Sequence, residues 1–185
     1  CLLPVVFYGL QKALFVLKEW QRTLSLSTRS LIDQYYNSSI YAFFLKNLPA
    51  DKAKLAWGLS FGLICIVGLA LLGMMLKGKK SGLANPEVLE CSYLLVLIPF
   101  LSPTAWYYNY LYSILAVVLL VNLMDRFPPA LKYILIADFV FIGASLSEVL
   151  GKKGYHFYTQ HALVFIGYLI ILFYLVYSRF KLEPA

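Results

Sequence analysis

The chain has 185 residues, of which 61% are hydrophobic and 14% charged, and its formal net charge is +7 at pH 7. A soluble domain has about 45–50% apolar residues, so this composition excludes an ordinary soluble domain and indicates an integral membrane protein. Lysines and arginines lie in short clusters between apolar runs, as expected beside anionic lipid headgroups, so the positive charge does not predict a nucleic-acid partner.

Residues 1–54 are predicted to hold the end of a membrane helix and outer-side interfacial helices. Residues 1–10 are apolar and lack an initiating Met, which predicts the C-terminal part of a longer protein. In residues 11–24 apolar side chains recur at helical spacing, which suits a helix lying in the membrane interface or one packed on the protein itself. Residues 25–30 predict a loop because they are rich in Ser and Thr, and residues 31–48 a second short helix.

Residues 55–185 are predicted to form a transmembrane helix bundle within one larger membrane domain. About 20 apolar residues are needed to cross a hydrocarbon core about 30 Å thick. Five apolar passages occur in chain order: residues 55–76, 88–101, 105–124, 131–150 and 157–177. The fold class is therefore all-α, a multipass bundle with about five crossings plus the partial crossing at the start.

The basic cluster at residues 77–80 predicts a cytoplasmic end for the first full crossing. Alternation then places Arg126, Lys132 and Arg179 on the inside and residues 102–109 on the outside. The predicted location is the cell membrane, which the chain crosses several times, with membrane lipids as partners.

Two polar interruptions, residues 37–46 (NSSIYAFFLK) and 101–109 (LSPTAWYYN), are the candidate binding segments. Their side chains can bind hydroxyls or phosphate oxygens, their aromatics can stack on a sugar, and Lys46 can neutralise phosphate as a point charge. The candidates are Asn37, Ser38, Ser39, Lys46, Ser102, Trp106, Tyr107, Tyr108 and Asn109. Structural interpretations stay open: a helix cap at residues 37–39, a helix break at 102–103 and an interfacial aromatic belt.

Asp138 is the intramembrane polar candidate, because it lies well inside an apolar run. Such acids are costly in a membrane and are either functional or paired with a nearby Tyr or Ser hydroxyl. His156 and His161 flank the last crossing, where a proton-transfer role or a structural hydrogen bond would suit them. The cysteines show no metal-ligand spacing, so no metal site is predicted.

Several short motifs together resemble glycosyltransferase family 87. They are residues 4–9 (PVVFYG), Trp20, residues 37–42 (NSSIYA) followed by Lys46, and residues 101–106 (LSPTAW). The family pattern is similar to Asn-Gln-Ser-Leu followed by an arginine, and later Leu-Ser-Pro-x-x-Trp.

The correspondence is partial at individual positions. Asn37 and Ser39 fit the first element, whereas Ser38 replaces its glutamine and Lys46 replaces its arginine. The family often has histidine shortly after the tryptophan, where this chain has Tyr107, Tyr108 and Asn109.

The resemblance implies a GT-C type enzyme that transfers a sugar, such as mannose, with inversion. The implied partners are a polyprenyl-phosphate sugar donor and a glycan or glycolipid acceptor on the outer side, with no nucleotide or tightly bound cofactor. It also implies a catalytic carboxylate in an outer loop upstream of this chain, so the catalytic residue is unknown here and the isolated fragment is expected to be inactive.

Two other functions stay open. One is a transporter or flippase half, with Asp138 as a coupling residue and Pro103 at a broken helix. The other is a non-catalytic membrane scaffold subunit, in which the aromatic clusters serve helix packing.

Overall fold

The computed structural model describes residues 3–32, 34–77 and 86–182. These residues form helices and connecting segments without a strand, which confirms the predicted all-α fold class. The chain divides into two compact units, Cys1–Gln34 and Tyr35–Ala185. Of the predicted basic cluster, Lys77 is described, and the rest of it lies outside the described residues.

The first unit consists of helix α1, Leu3–Ile32, which is kinked at Gly9. Gly9 has φ 74° and ψ 161°, a conformation that is essentially restricted to glycine. The kink separates the apolar segment from the amphipathic one at the boundary expected from the sequence. The predicted loop at residues 25–30 is wrong, because these residues continue α1. Ser and Thr are only mildly unfavourable in a helix, and no Pro or Gly ends it there.

The second unit contains seven helices among its described residues. They are α2 Ile40–Asn47, α3 Ala53–Leu76, α4 Pro86–Leu101, α5 Ile114–Asn122, α6 Pro129–Gly143, α7 Ser147–Gln160 and α8 Val164–Lys181. Short 3-10 segments occupy Ala50–Lys52, Tyr107–Ser113 and Met124–Arg126. The predicted helix at residues 31–48 is shortened to α2, and α4 ends at Leu101, where Ser102 and Pro103 predicted a break.

Helix α8 is the centre of the second unit, because α3, α4, α5 and α6 all contact it. Its side chains are apolar on several faces, as expected of a helix surrounded by others. The core side chains from α8 include Val164, Phe165, Ile171, Leu172 and Leu175, and they belong to one cluster with Tyr93 and Phe100 of α4 and Leu135 of α6.

A polar cluster joins α3, α4 and α8 at the end of the bundle that contains Lys77. Lys77 Nζ donates to the carbonyls of Arg179 and Phe180, each at 3.1 Å. Arg179 is 1% exposed and its Nε and NH2 donate to Glu90 Oε1 at 3.2 and 3.1 Å. The structure thus brings together Lys77 and Arg179, which alternation assigns to one side.

Among the described residues, two helices are long and apolar enough to cross a membrane, α3 and α8. A third candidate is the bent pair α6 and α7, whose axes differ by 88°. The predicted passage over residues 131–150 is broken in the structure, because α6 ends at Gly143 and α7 begins at Ser147 in a different direction. Gly and Ser at residues 143–147 have low helix propensity, and Ser favours helix starts. The last passage correspondingly begins at Val164 and not at residue 157.

Candidate functional site

The two polar segments meet through direct backbone and side-chain hydrogen bonds. Ser38 N donates to the Ala105 carbonyl at 2.8 Å. Asn37 Oδ1 accepts from Ala105 N at 3.0 Å, and Asn37 Nδ2 donates to the Pro103 carbonyl at 3.2 Å. Ser39 Oγ donates to the same Pro103 carbonyl at 3.1 Å. We call residues 37–39 with residues 103–105 the brace.

The brace also starts helix α2. Asn37 Oδ1 accepts from Ser39 N at 3.1 Å, and Ser39 Oγ accepts from Ala42 N at 3.2 Å. This second contact is an N-cap, which satisfies an amide that the helix itself leaves without an acceptor. The helix cap that the sequence suggested for residues 37–39 is therefore Ser39. Asn37 also binds the second polar segment.

The part of the brace that precedes α2 is buried, whereas Pro103 on the other side is exposed. Asn37, Ser38 and Ser39 are 2%, 0% and 1% exposed. Tyr110 OH donates to the Ser38 carbonyl at 2.7 Å, which closes the brace from the side of the second segment. These hydrogen bonds position the two segments relative to each other, whereas Ser38 Oγ is buried without a hydrogen-bond partner among the described residues.

Lys46 fixes the end of α2 to the brace and to α7. Its Nζ donates to the carbonyls of Asn37 at 2.7 Å, Tyr35 at 2.8 Å and Thr159 at 3.4 Å. Burial lowers the pKa of the Lys46 ammonium from 10.5 to about 8, whereas hydrogen bonds from the charged form to carbonyls oppose that shift. Phosphate binding by Lys46 stays a prediction, and it would require one of these carbonyls to be exchanged for a phosphate oxygen.

Two further contacts join α2 and its preceding turn to α7 and the residue after it. Tyr35 OH donates to the His156 carbonyl at 2.8 Å and lies 2.7 Å from His156 Nδ1, with the two rings stacked 5.0 Å apart. Asn47 Nδ2 donates to the His161 carbonyl at 3.0 Å, and Asn47 Oδ1 lies 2.7 Å from His161 Nδ1. Sequence reasoning missed Tyr35 and Asn47, and it left a structural hydrogen bond open for both histidines.

The second polar segment presents aromatic and amide groups on the surface beside the brace. The rings of Trp106 and Tyr108 are 6.4 Å apart and inclined by 16°. Tyr108 is 65% exposed, and Trp106 and Asn109 are partly exposed. Tyr107 is placed in the same 3-10 segment, but its side chain lies outside the described part of the structure. Ser102 Oγ donates to the Thr104 carbonyl at 2.7 Å and so stabilises the turn.

A shallow groove begins at Tyr110, next to the brace. Its volume is about 230 Å³, and its lining consists of Tyr110, Leu111, Ser113, Ile114, Val117, Val118 and Tyr168. The Tyr110 and Tyr168 rings stack with centroids 4.1 Å apart. The groove is therefore mainly aliphatic, with hydroxyl groups near the end that adjoins the brace.

Asp138 lies apart from the hydrogen bonds of the brace. It is 4% exposed, and neither carboxyl oxygen has a hydrogen-bond partner among the described residues. A Cβ on Gly167 would lie 3.1 Å from Asp138 Oδ1 and 2.5 Å from Ile142 Cγ1, so α6 and α8 approach closely here. Asp138 is therefore buried inside the helix bundle, whereas the expected hydroxyl partner is not found in the described chain.

No group of three or more His, Cys, Asp or Glu side chains in the described ranges could hold a metal ion. Comparisons with protein-family models, with curated proteins and with solved structures found no match for this chain.

Proposed function

We propose that this chain is part of the membrane domain of a glycosyltransferase similar to family 87. The enzyme would move a sugar, such as mannose, from a polyprenyl-phosphate donor to a glycan or glycolipid acceptor outside the cytoplasm. The observation that supports this proposal best is the brace, because the two segments that carry the family resemblance lie far apart in sequence and are hydrogen-bonded to each other.

The proposal includes five membrane crossings in a prokaryotic cytoplasmic membrane: α3, α4, residues 107–122, α6 and α8. Helices α4 and α6 have 16 and 15 residues, which span about 22–24 Å at 1.5 Å per residue. They would be short for a core about 30 Å thick. Their packing in the bundle and local thinning of the bilayer would compensate for that shortness.

The brace residues would position the site, and their neighbours would contact the substrate. Asn37 and Ser39 hold Pro103 and Ala105 in place through their hydrogen bonds. The adjoining Trp106 and Tyr108 rings can stack on a sugar, and the Asn109 amide can donate to and accept from its hydroxyls. The groove beside Tyr110 would receive the first isoprene units of the donor, because its lining is mainly aliphatic.

In the proposed reaction an acceptor hydroxyl oxygen forms a bond to the anomeric carbon of the sugar. The bond between that carbon and the phosphate oxygen breaks, and the polyprenyl phosphate leaves with the electron pair. A base removes the proton of the hydroxyl, and donors stabilise the departing phosphate. The family resemblance implies that the base is a carboxylate outside this chain.

The test is sugar transfer by the full-length protein in membrane vesicles, with radiolabelled polyprenyl-phosphate mannose as donor. Trp106→Ala and Asn109→Ala should lower transfer by about 10-fold or more, since misplaced substrates lose much of the benefit of orientation. Tyr133→Ala is the matched control, because Tyr133 is a 71% exposed aromatic residue on α6. Normal expression with unchanged transfer in both site variants, or no transfer by the unmodified protein, would count against the proposal.

A transporter or flippase half is the second candidate, and the burial of Asp138 favours it. A buried carboxyl without a hydrogen-bond partner in the described chain is costly in a membrane and is a common feature of coupling sites. Proteoliposomes that show proton-driven uptake of a lipid-linked sugar, lost in Asp138→Asn, would support this function. Retained sugar transfer in Asp138→Asn would favour the enzyme.

A further inference from the structure

Helix α1 changes its chemical character at the kink. Residues 4–8 (PVVFY) are uncharged and mostly apolar, and the charged residues begin at Lys12. Gly9 lies between the two parts in a conformation that other residues rarely adopt. The chain therefore changes direction between an apolar segment and an amphipathic helix.

One face of the amphipathic part is apolar and exposed. At 3.6 residues per turn, Leu10, Leu14, Leu17 and Trp20 fall within an arc of about 120°. Their exposed fractions are 61%, 57%, 46% and 61%, and Ala13 within the same arc is buried. The four large side chains are thus available to a partner, whereas the small Ala13 between them is covered, and Gln21 is a polar residue within the same arc.

The opposite face has an excess of positive charge. Lys12, Lys18 and Arg22 are all exposed, and the acidic residue among them is Glu19. Arg22 NH1 lies 4.0 Å from Glu19 Oε1, and both side chains are largely in solvent. Phe15 interrupts this face and is 65% exposed. The helix thus combines an apolar face with cations on either side of it.

We propose that residues 10–23 of α1 bind the headgroup region of a bilayer that contains anionic phospholipid. The leucines and Trp20 would enter the boundary between headgroups and acyl chains. Lys12, Lys18 and Arg22 would extend to the phosphates. This inference goes beyond the proposed function and does not rest on it.

Two features favour lipid over a protein groove as the occupant. Basic side chains beside an apolar face can bury their methylene stems and keep their charges at the phosphate level. Trp20 lies at one edge of the apolar arc, and tryptophan is enriched at membrane interfaces. The corner at Gly9 supplies the change of direction that an interfacial helix needs after an apolar segment.

Tryptophan fluorescence of the full chain in nanodiscs tests the proposal. Trp57→Phe and Trp106→Phe leave Trp20 as the reporter, because the chain has three tryptophans. Discs of phosphatidylcholine, with and without phosphatidylglycerol, carry bromine on the acyl chain near the carbonyl. Quenching of Trp20 should be stronger with phosphatidylglycerol and should weaken at high salt.

Lys12→Gln, Lys18→Gln and Arg22→Gln together should abolish the phosphatidylglycerol-dependent part of the quenching. Each cation near an anionic surface strengthens binding about five-fold, and Gln keeps the helix propensity. Lys52→Gln with Lys54→Gln is the matched control, because both lysines are exposed outside α1. The proposal is overturned if the lipid dependence survives the triple variant. It is also overturned if Trp20 is shielded from aqueous iodide and from bromolipid alike, which would indicate protein packing.

Discussion

The side chain of Asn37 binds the backbone of Ala105, 68 residues further along the chain, at 3.0 Å. The same side chain also accepts from Ser39 N and donates to the Pro103 carbonyl. One amide thus fixes the start of α2 and the turn after α4 relative to each other. A substitution of Asn37 alone would therefore remove its hydrogen bonds to both polar segments.

Asn37→Ala should lower the free energy of unfolding of the full chain in detergent by about 2–4 kcal/mol, because it leaves buried backbone groups without partners. Asn122→Ala is the control, since Asn122 is exposed at the end of α5, and it should change stability by less than about 0.5 kcal/mol. Thermal unfolding followed by circular dichroism measures both. Equal effects of the two substitutions would show that the brace contributes little to stability.

The free energy of unfolding should depend on pH because Lys46 is partly buried. Its pKa is lowered from 10.5 to about 8 in the folded chain, so the unfolded chain binds more protons between these two values. Stability relative to Lys46→Met should therefore increase as the pH rises from 8 to 10.5. Denaturant unfolding of both proteins across this range measures the difference. A constant difference would mean that the three carbonyls hold the pKa near its ordinary value.

The contact between α6 and α8 should be intolerant of extra volume. Gly167→Ala would place a Cβ 2.5 Å from Ile142 Cγ1, and overpacking of this kind costs about 1–3 kcal/mol. Ile142→Ala in the same chain should relieve part of the cost, which a double-mutant cycle measures. Gly68→Ala is the control, because a Cβ there has open space. Additive effects at positions 142 and 167 would exclude the close approach.

Sequence reasoning succeeded where a local pattern determines the structure. Helix α3 agrees with the predicted passage to within two residues at its start, because its long apolar run contains no Pro or charge. The end of α4 at Leu101 agrees with the break expected at Ser102 and Pro103, although the same helix includes Pro99. The expectation that the two polar segments form one binding site stays a prediction, while the structure shows that residues 37–39 are hydrogen-bonded to residues 103–105.

The remaining features depend on partners distant in sequence. Lys46 donates to the Thr159 carbonyl, 113 residues away. Every residue has a backbone carbonyl, so a sequence pattern cannot predict which one accepts the hydrogen bond. Sequence reasoning did not predict the bend after Gly143. Residues 131–150 are apolar enough to predict one passage, and hydropathy carries no information on the direction of a helix axis. The burial of Asn37 was likewise unpredictable, since a polar residue between apolar runs is equally compatible with a surface site.

Substitution of Gly151 in α7 should lower the stability of the fold, because its backbone conformation is unfavourable for residues with a side chain. Its φ is 65° and its ψ 167°, and a side chain in this region costs about 1–3 kcal/mol. Gly151→Ala should therefore lower the unfolding temperature. Gly143→Ala should not, because Gly143 lies at the end of α6 with open space around its Cα and an ordinary helical backbone. Equal unfolding temperatures for the two variants would contradict the backbone strain expected at position 151.

The orientation of the bundle can be tested by cysteine labelling in intact cells. Tyr108 lies in the polar segment that forms one half of the brace, and Lys181 lies at the end of α8 where Lys77 binds the Arg179 carbonyl. Tyr108→Cys should react with a membrane-impermeant maleimide and Lys181→Cys should not, in a background that lacks Cys1, Cys65 and Cys91. Both should react after permeabilisation, since both side chains are exposed. Labelling of position 181 but not of 108 in intact cells would place the brace in the cytoplasm. An outer acceptor site at Trp106 and Asn109 would then be excluded.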